Sequence, residues 1–292
     1  MKKLYTLEGN TQKLDGGAMF GNAPKAVWQN WMKVDEDNRI DLACRSLLVQ
    51  EENSDSSKKN ILFELGIGAF FDPKMKQRFG VVESEHLLLT SLHKIGLTHK
   101  DIDVIVLSHL HFDHMGGLLS AYEEGQPAAA LFPNAEILVS KEAWQRALHP
   151  HKRDRASFIE PLINALKNNP KVHLVESSNH PLLGDDYHFH FSHGHTPGMM
   201  LTEIKMPQGP IVFCADLIPG QAWVHLPITM GYDRFPEKII DEKEALFEQI
   251  LSRNGRLFFT HDPVCCCGRL IKNEKQRFVL EDCQQQLIAQ VD

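Results

Sequence analysis

Ser108-His109-Leu110-His111-Phe112-Asp113-His114-Met115-Gly116-Gly117 places three imidazoles and a carboxylate within six residues, directly behind the apolar run Val104-Ile105-Val106-Leu107. Imidazole and carboxylate are ligands that borderline-soft divalent metals such as Zn²⁺ accept readily. A strand ending in this cluster aims alternate side chains at one ion and the next two at a second. A chance group of surface histidines is the competing reading, but the chain carries 16 His in 292 residues, so an accidental H-x-H-x-D-H is rare. The stretch reads as a metal-binding loop at the tip of a buried strand.

A two-metal site needs further ligands, and the same design recurs downstream. His195 lies in His193-Gly194-His195-Thr196-Pro197-Gly198, straight after the alternating run Tyr187 to Phe191. Asp216 ends Ile211-Val212-Phe213-Cys214-Ala215, and His261 ends Leu257-Phe258-Phe259-Thr260. In each case an apolar strand carries a ligand at its tip, where a rigid sheet holds it to metal-site tolerance.

Outward from these tips the chain alternates strands and helices. Strands are expected over 42–49, 61–65, 104–107, 135–139, 172–175, 187–191, 211–214 and 256–259, rich in β-branched and aromatic residues and bounded by turn formers. Helices are expected over about 83–95, 141–148, 158–167 and 237–252, the last closed by Asn254-Gly255. Two groups of strands, each followed by helices, predict an α/β fold of two sheets packed face to face with helices outside. The polar stretch Glu51 to Asn60 reads as a hairpin turn, so 1–292 is expected to form one domain.

Bulk properties narrow the class. A formal net charge of −7 argues against a nucleic-acid footprint. No apolar run reaches membrane-span length, and Met1-Lys2-Lys3-Leu4-Tyr5-Thr6 has no signal core behind its lysines. A soluble, cytoplasmic protein with reduced thiols is the expectation. Cys265-Cys266-Cys267 then reads as small buried hydrophobes rather than as a thiolate metal site. His188 and His190 alternate with Tyr187, Phe189 and Phe191, which assigns them to the solvent face.

The ordered set H-x-H-x-D-H, the His of GHTPG, the Asp of ADL and the His of THDP resembles the metallo-β-lactamase superfamily along nearly the whole chain. The resemblance implies an αββα sandwich of two mixed β-sheets flanked by helices, with two divalent metal ions at one sheet edge. It gives His109, His111 and His195 to one ion and Asp113, His114 and His261 to the other, with Asp216 bridging both. Zinc is the expected metal, and Mn, Fe or Co suit the same N/O ligands. Asp216, where many true zinc β-lactamases carry cysteine, disfavours antibiotic hydrolysis. Asp216-Leu217-Ile218-Pro219, Met230-Gly231-Tyr232-Asp233 and the loop Asp15-Gly16-Gly17-Ala18-Met19-Phe20-Gly21 look like the branch of acyl-homoserine-lactone lactonases and methyl-parathion-type hydrolases.

The resemblance implies metal-assisted hydrolysis of a small ester or lactone by a metal-bridging hydroxide, with Asp113 orienting the nucleophile or shuttling a proton. Phosphotriester hydrolysis is the alternative, and a non-catalytic metal-binding protein is the reading from another class. Phe20, Trp223, His225 and Tyr232 are candidate substrate-binding residues, with structural packing the alternative for each. Lactonases of the superfamily often carry a tyrosine shortly after the bridging Asp; the third residue after Asp216 here is Pro219. Where many members have Asp-Thr-Gly this chain has Glu64-Leu65-Gly66, which gives Glu64 the supporting role of that Asp with a longer reach. The expected partner is a small-molecule substrate; relatives often pair through exposed loops, so a homodimer is the assembly to test.

Overall fold

Val104–Val106 is buried on both faces, which suits a residue run with no polar side to offer. A computed structural model describes residues 1–52 and 57–291. The chain divides into two compact units: Met1–Gln12 with Ala43–Glu176 and the residues from Ile288 onward, and Lys13–Leu42 with Ser177–Leu287.

The first unit is a seven-stranded mixed sheet. Its order is Gln290–Val291, Lys2–Leu7, Ser46–Glu52, Lys58–Phe63, Val104–Val106, Glu136–Ser140 and Val172–Val175. The first four are antiparallel and the last three join in parallel. Parallel neighbours need crossovers, and helices Leu87–Lys94, Lys141–Leu148 and Glu160–Lys167 lie within them. Ser140 caps the second of these, its Oγ accepting the Ala143 N–H at 3.0 Å. Leu88, Leu92, Leu162 and Leu166 from the helices share one core with Leu48, Leu62, Ile105 and Ile137 from the sheet. Each such leucine contributes about 1.5–3 kcal/mol by leaving water.

The second unit is a six-stranded sheet ordered Phe278–Gln284, Cys267–Lys272, Arg256–Phe258, Ile211–Phe213, Met199–Ile204 and Tyr187–Ser192. Only Ile211–Phe213 and Arg256–Phe258 pair in parallel, and helix Pro236–Leu251 makes their crossover. The stretch expected as a loop at Asp15–Gly21 is instead the helix Gly16–Phe20, capped by Asp15 Oδ1 on the Ala18 N–H at 2.8 Å.

The expected elements recur with shifted ends, and Lys141–Leu148 and Val172–Val175 keep theirs. The run expected as one strand over 42–49 is two, Arg39–Leu42 and Ser46–Glu52. Glu52 and Lys58 pair as the hairpin requires, while its turn, residues 53–56, lies outside the described residues. Cys265, Cys266 and Cys267 are buried, as small hydrophobes should be. His188 is exposed, and His190 is half-buried against Glu203, its Nε2 3.0 Å from Oε2. Among the described residues no helix is long and apolar enough to cross a membrane.

Candidate metal centre

In the first unit, Val104–Val106 delivers Ser108 and His109 at its exit, and His111 opens the helical turn Phe112–Met115. This turn is locked to the exit of the neighbouring strand: Glu64 N donates to Val106 O and Leu65 N to His114 O, both at 2.9 Å. The approach is so close that a Cβ on Gly116 would sit 2.0 Å from Ile67 O, and one on Gly117 2.2 Å from Leu65 O. Only glycines permit that contact.

The histidines are buried and crowded. The ring of His109 lies 4.4 Å from that of His111 and 4.1 Å from that of His114. His109 Nδ1 is 2.9 Å from Ser108 Oγ, and His114 Nδ1 is 2.8 Å from Glu64 Oε2. Ser108 Oγ in turn donates to the other oxygen of Glu64. Asp113 Oδ1 stands 3.8 Å from His114 Nε2 and is partly exposed. Glu64, His109 and His114 each bring a ligand atom within 4.8 Å of the others. The expected supporting role of Glu64 matches this placement: its carboxylate accepts from His114 and Ser108 at once.

In the second unit, Asp216 follows the strand Ile211–Phe213 and spreads its oxygens between two imidazoles. Oδ2 is 3.2 Å from His195 Nε2 and Oδ1 is 3.1 Å from His261 Nε2. His195 Nδ1 is 2.9 Å from Asp233 Oδ1, and Asp233 Oδ2 accepts the Met230 N–H at 2.7 Å. Both nitrogens of His195 therefore face carboxylates. A neutral imidazole has one N–H. Once Nδ1–H serves Asp233, the Nε2 lone pair points at an anion, an arrangement that a shared cation resolves. Carboxylate-backed imidazoles presenting Nε2 are what divalent metals select, so the donor set fits the implied ions.

Asp233 enters the sequence reading only as the last residue of Met230-Gly231-Tyr232-Asp233, with no role of its own, and its burial is revealed by the fold alone. His193 accepts the Gly198 N–H at 3.2 Å and so closes the loop that carries His195.

The candidate substrate residues divide. Phe20 is sandwiched between Trp28 and Trp223, with ring centroids 5.3 and 4.6 Å away, and Trp223 Nε1 donates to Met19 O at 3.0 Å. Both are fully buried, and neighbouring rings occupy the faces of Phe20. Tyr232 is 42% exposed. His225 is exposed and lines a cavity of about 910 Å³ together with Trp31, Met32, Gln221, Asp262 and Val264. Burial lowers the His225 pKa, with Arg277 and Lys243 adding to the effect.

Comparison with known proteins places the chain in a family. The metallo-β-lactamase superfamily model matches residues 40–261. An N-acyl homoserine lactonase of Bacillus thuringiensis is 24% identical over 186 residues, 61% of this chain and 63% of the relative. The chain thus spans less than two thirds of the curated relatives it matches. A probable metal-dependent hydrolase from Staphylococcus aureus has the same fold, with TM-score 0.83, 26% identity and coverage of 97% of this chain and 98% of the other. The dizinc quorum-quenching lactonase AidC, solved with a product, superposes with TM-score 0.74 at 23% identity, covering 96% and 94%. With a family model matched over residues 40–261, most of its length, the chain belongs to the metallo-β-lactamase superfamily.

Proposed function

We propose that this chain is a dinuclear metal-dependent hydrolase acting on a small ester or lactone of the N-acyl-homoserine-lactone type. The observation that carries the reading is Asp216, which offers separate oxygens to His195 and His261 at 3.2 and 3.1 Å, as a bridging carboxylate must. One ion would be held by His109, His111 and His195, the other by Asp113, His114 and His261, with Asp216 between them. Zinc suits this donor set. Bound there, two divalent cations supply Lewis acidity toward the substrate carbonyl and lower the pKa of water toward neutrality. Asp113, partly exposed beside His114, orients the attacking water and passes its proton toward the leaving oxygen. Glu64, Ser108 and Asp233 fix the rings from behind. The family model covers segments of both units, which supports treating residues 1–292 as one functional domain. The names of the relatives, lactonases among them, favour the lactone over other esters.

The test is pH-stat ring opening of a long-chain N-acyl-homoserine lactone by zinc-loaded protein, with Asp216→Ala as control. Efficient opening that the variant loses, with its circular dichroism unchanged, is expected. Full activity in Asp216→Ala overturns the reading. Zinc binding without ring opening removes the lactone and turns the search to phosphotriesters.

A further inference from the structure

Helix Pro236–Leu251 buries Ile239, Lys243, Leu246, Phe247 and Ile250. These positions form one apolar stripe at spacings of three and four, and a lysine stands inside it. Lys243 has no exposed surface. Its Nζ donates to three carbonyls of one segment: Trp223 O at 3.0 Å, His225 O at 3.3 Å and Ile228 O at 2.7 Å. An ammonium has three donors, and all three are used. The segment it gathers, Trp223 to Ile228, leads to Met230, whose N–H is held by Asp233, the partner of His195.

The preceding residue does the complementary work. Glu242 accepts from Ser192 Oγ at 2.6 Å, His193 N at 2.8 Å and Gly194 N at 3.1 Å. Those three residues lead directly into His195. Ile239 of the same helix closes on Gly194, where a Cβ would lie 2.7 Å from its Cγ1. Adjacent helical residues project about 100° apart, so one helix reaches two loops with opposite charges. Charge-assisted bonds of this kind are roughly twice as strong as neutral ones. A hydrophobe at position 243 would pack more cheaply, since burying a charge costs free energy that only complete pairing offsets.

We propose that Glu242 and Lys243 form a two-charge clasp of positioning residues, Glu242 seating the loop that carries His195 and Lys243 seating the segment that leads to Asp233. The clasp rests on the metal-site reading in one respect: its purpose is to keep His195 in ligand geometry.

The test, run below pH 7 so that Lys243 keeps its ammonium, uses the zinc-loaded protein and three variants: Glu242→Gln, Lys243→Met and Leu246→Ala. The last is a control that weakens the same helix at an apolar side chain, which makes no hydrogen bond to either loop. Zinc release to a chromophoric chelator and amide exchange by mass spectrometry are followed, the latter with and without zinc. Each clasp variant is expected to speed zinc release by about 10–100-fold. Glu242→Gln should raise exchange over 192–196, and Lys243→Met over 221–233. Leu246→Ala should lower Tm with release near the wild-type rate. Clasp variants that lose Tm but release zinc and exchange as Leu246→Ala does would overturn the proposal. Should Lys243→Met not fold, Lys243→Arg reads the same segment, since a planar fork cannot bring three donors to one point; unchanged exchange there overturns the proposal equally. A wild-type protein that takes up no zinc defeats the metal reading, while exchange in the zinc-free protein still decides the clasp.

Discussion

Glu64 is wholly buried and holds a left-handed backbone, φ +61°, that residues with a Cβ seldom adopt. The strain is retained where one carboxylate must serve His114 and Ser108 together. Glu64→Gln keeps the shape but turns an amide donor toward groups that themselves donate. Zinc affinity measured against a competing chelator should fall about 10–100-fold, and an unchanged affinity would remove Glu64 from the site. Lys243 gives a prediction in pH. Burial pushes its ammonium down to about 7, opposed by Asp233, with His225 the other titratable group coupled to it. The unfolded chain keeps that proton to about 10.5, so between the two values the unfolded state binds more protons and stability rises with pH. The contribution is fully present above 10.5 and is lost as pH falls through 7. Calorimetry should show the wild-type Tm gaining on Lys243→Met between pH 7 and pH 9.5; parallel curves would contradict this.

At the scale of elements, the turn that follows the histidine cluster depends on close backbone approach as well as on hydrogen bonds. Gly116→Ala would drive a Cβ to within 2.0 Å of Ile67 O, a backbone atom that cannot rotate away. Overpacking of this kind costs about 1–3 kcal/mol, so denaturant unfolding should show a loss of that size and zinc affinity should fall with it. Wild-type stability in this variant would mean the turn has slack. The strands that carry ligands were legible in the sequence because they are short continuous apolar runs, as at Val104–Val106 and Ile211–Phe213. Lys2–Leu7, Cys267–Lys272 and Phe278–Gln284 were not, because charged residues interrupt the apolar run in each. Helix Gly16–Phe20 was hidden by its two leading glycines, which read as a loop although Asp15 caps it.

Across the whole molecule the proposed ligand set could be read from the sequence and its supports mostly could not. His109, His111, Asp113 and His114 are contiguous, and His195, Asp216 and His261 each end an apolar run. Asp233, Glu242 and Lys243 act on loops distant in the chain, so only the fold reveals what they touch. The same holds for the aromatic residues: Phe20 and Trp223 lie 203 residues apart in the chain, and only the fold shows that they stack on each other. The proposed dinuclear centre draws its ligands from along the whole chain. Metal content by plasma mass spectrometry, on zinc-loaded protein dialysed free of excess metal, tests it most directly. Two zinc ions per chain are predicted; one ion, or none, would contradict the dinuclear site.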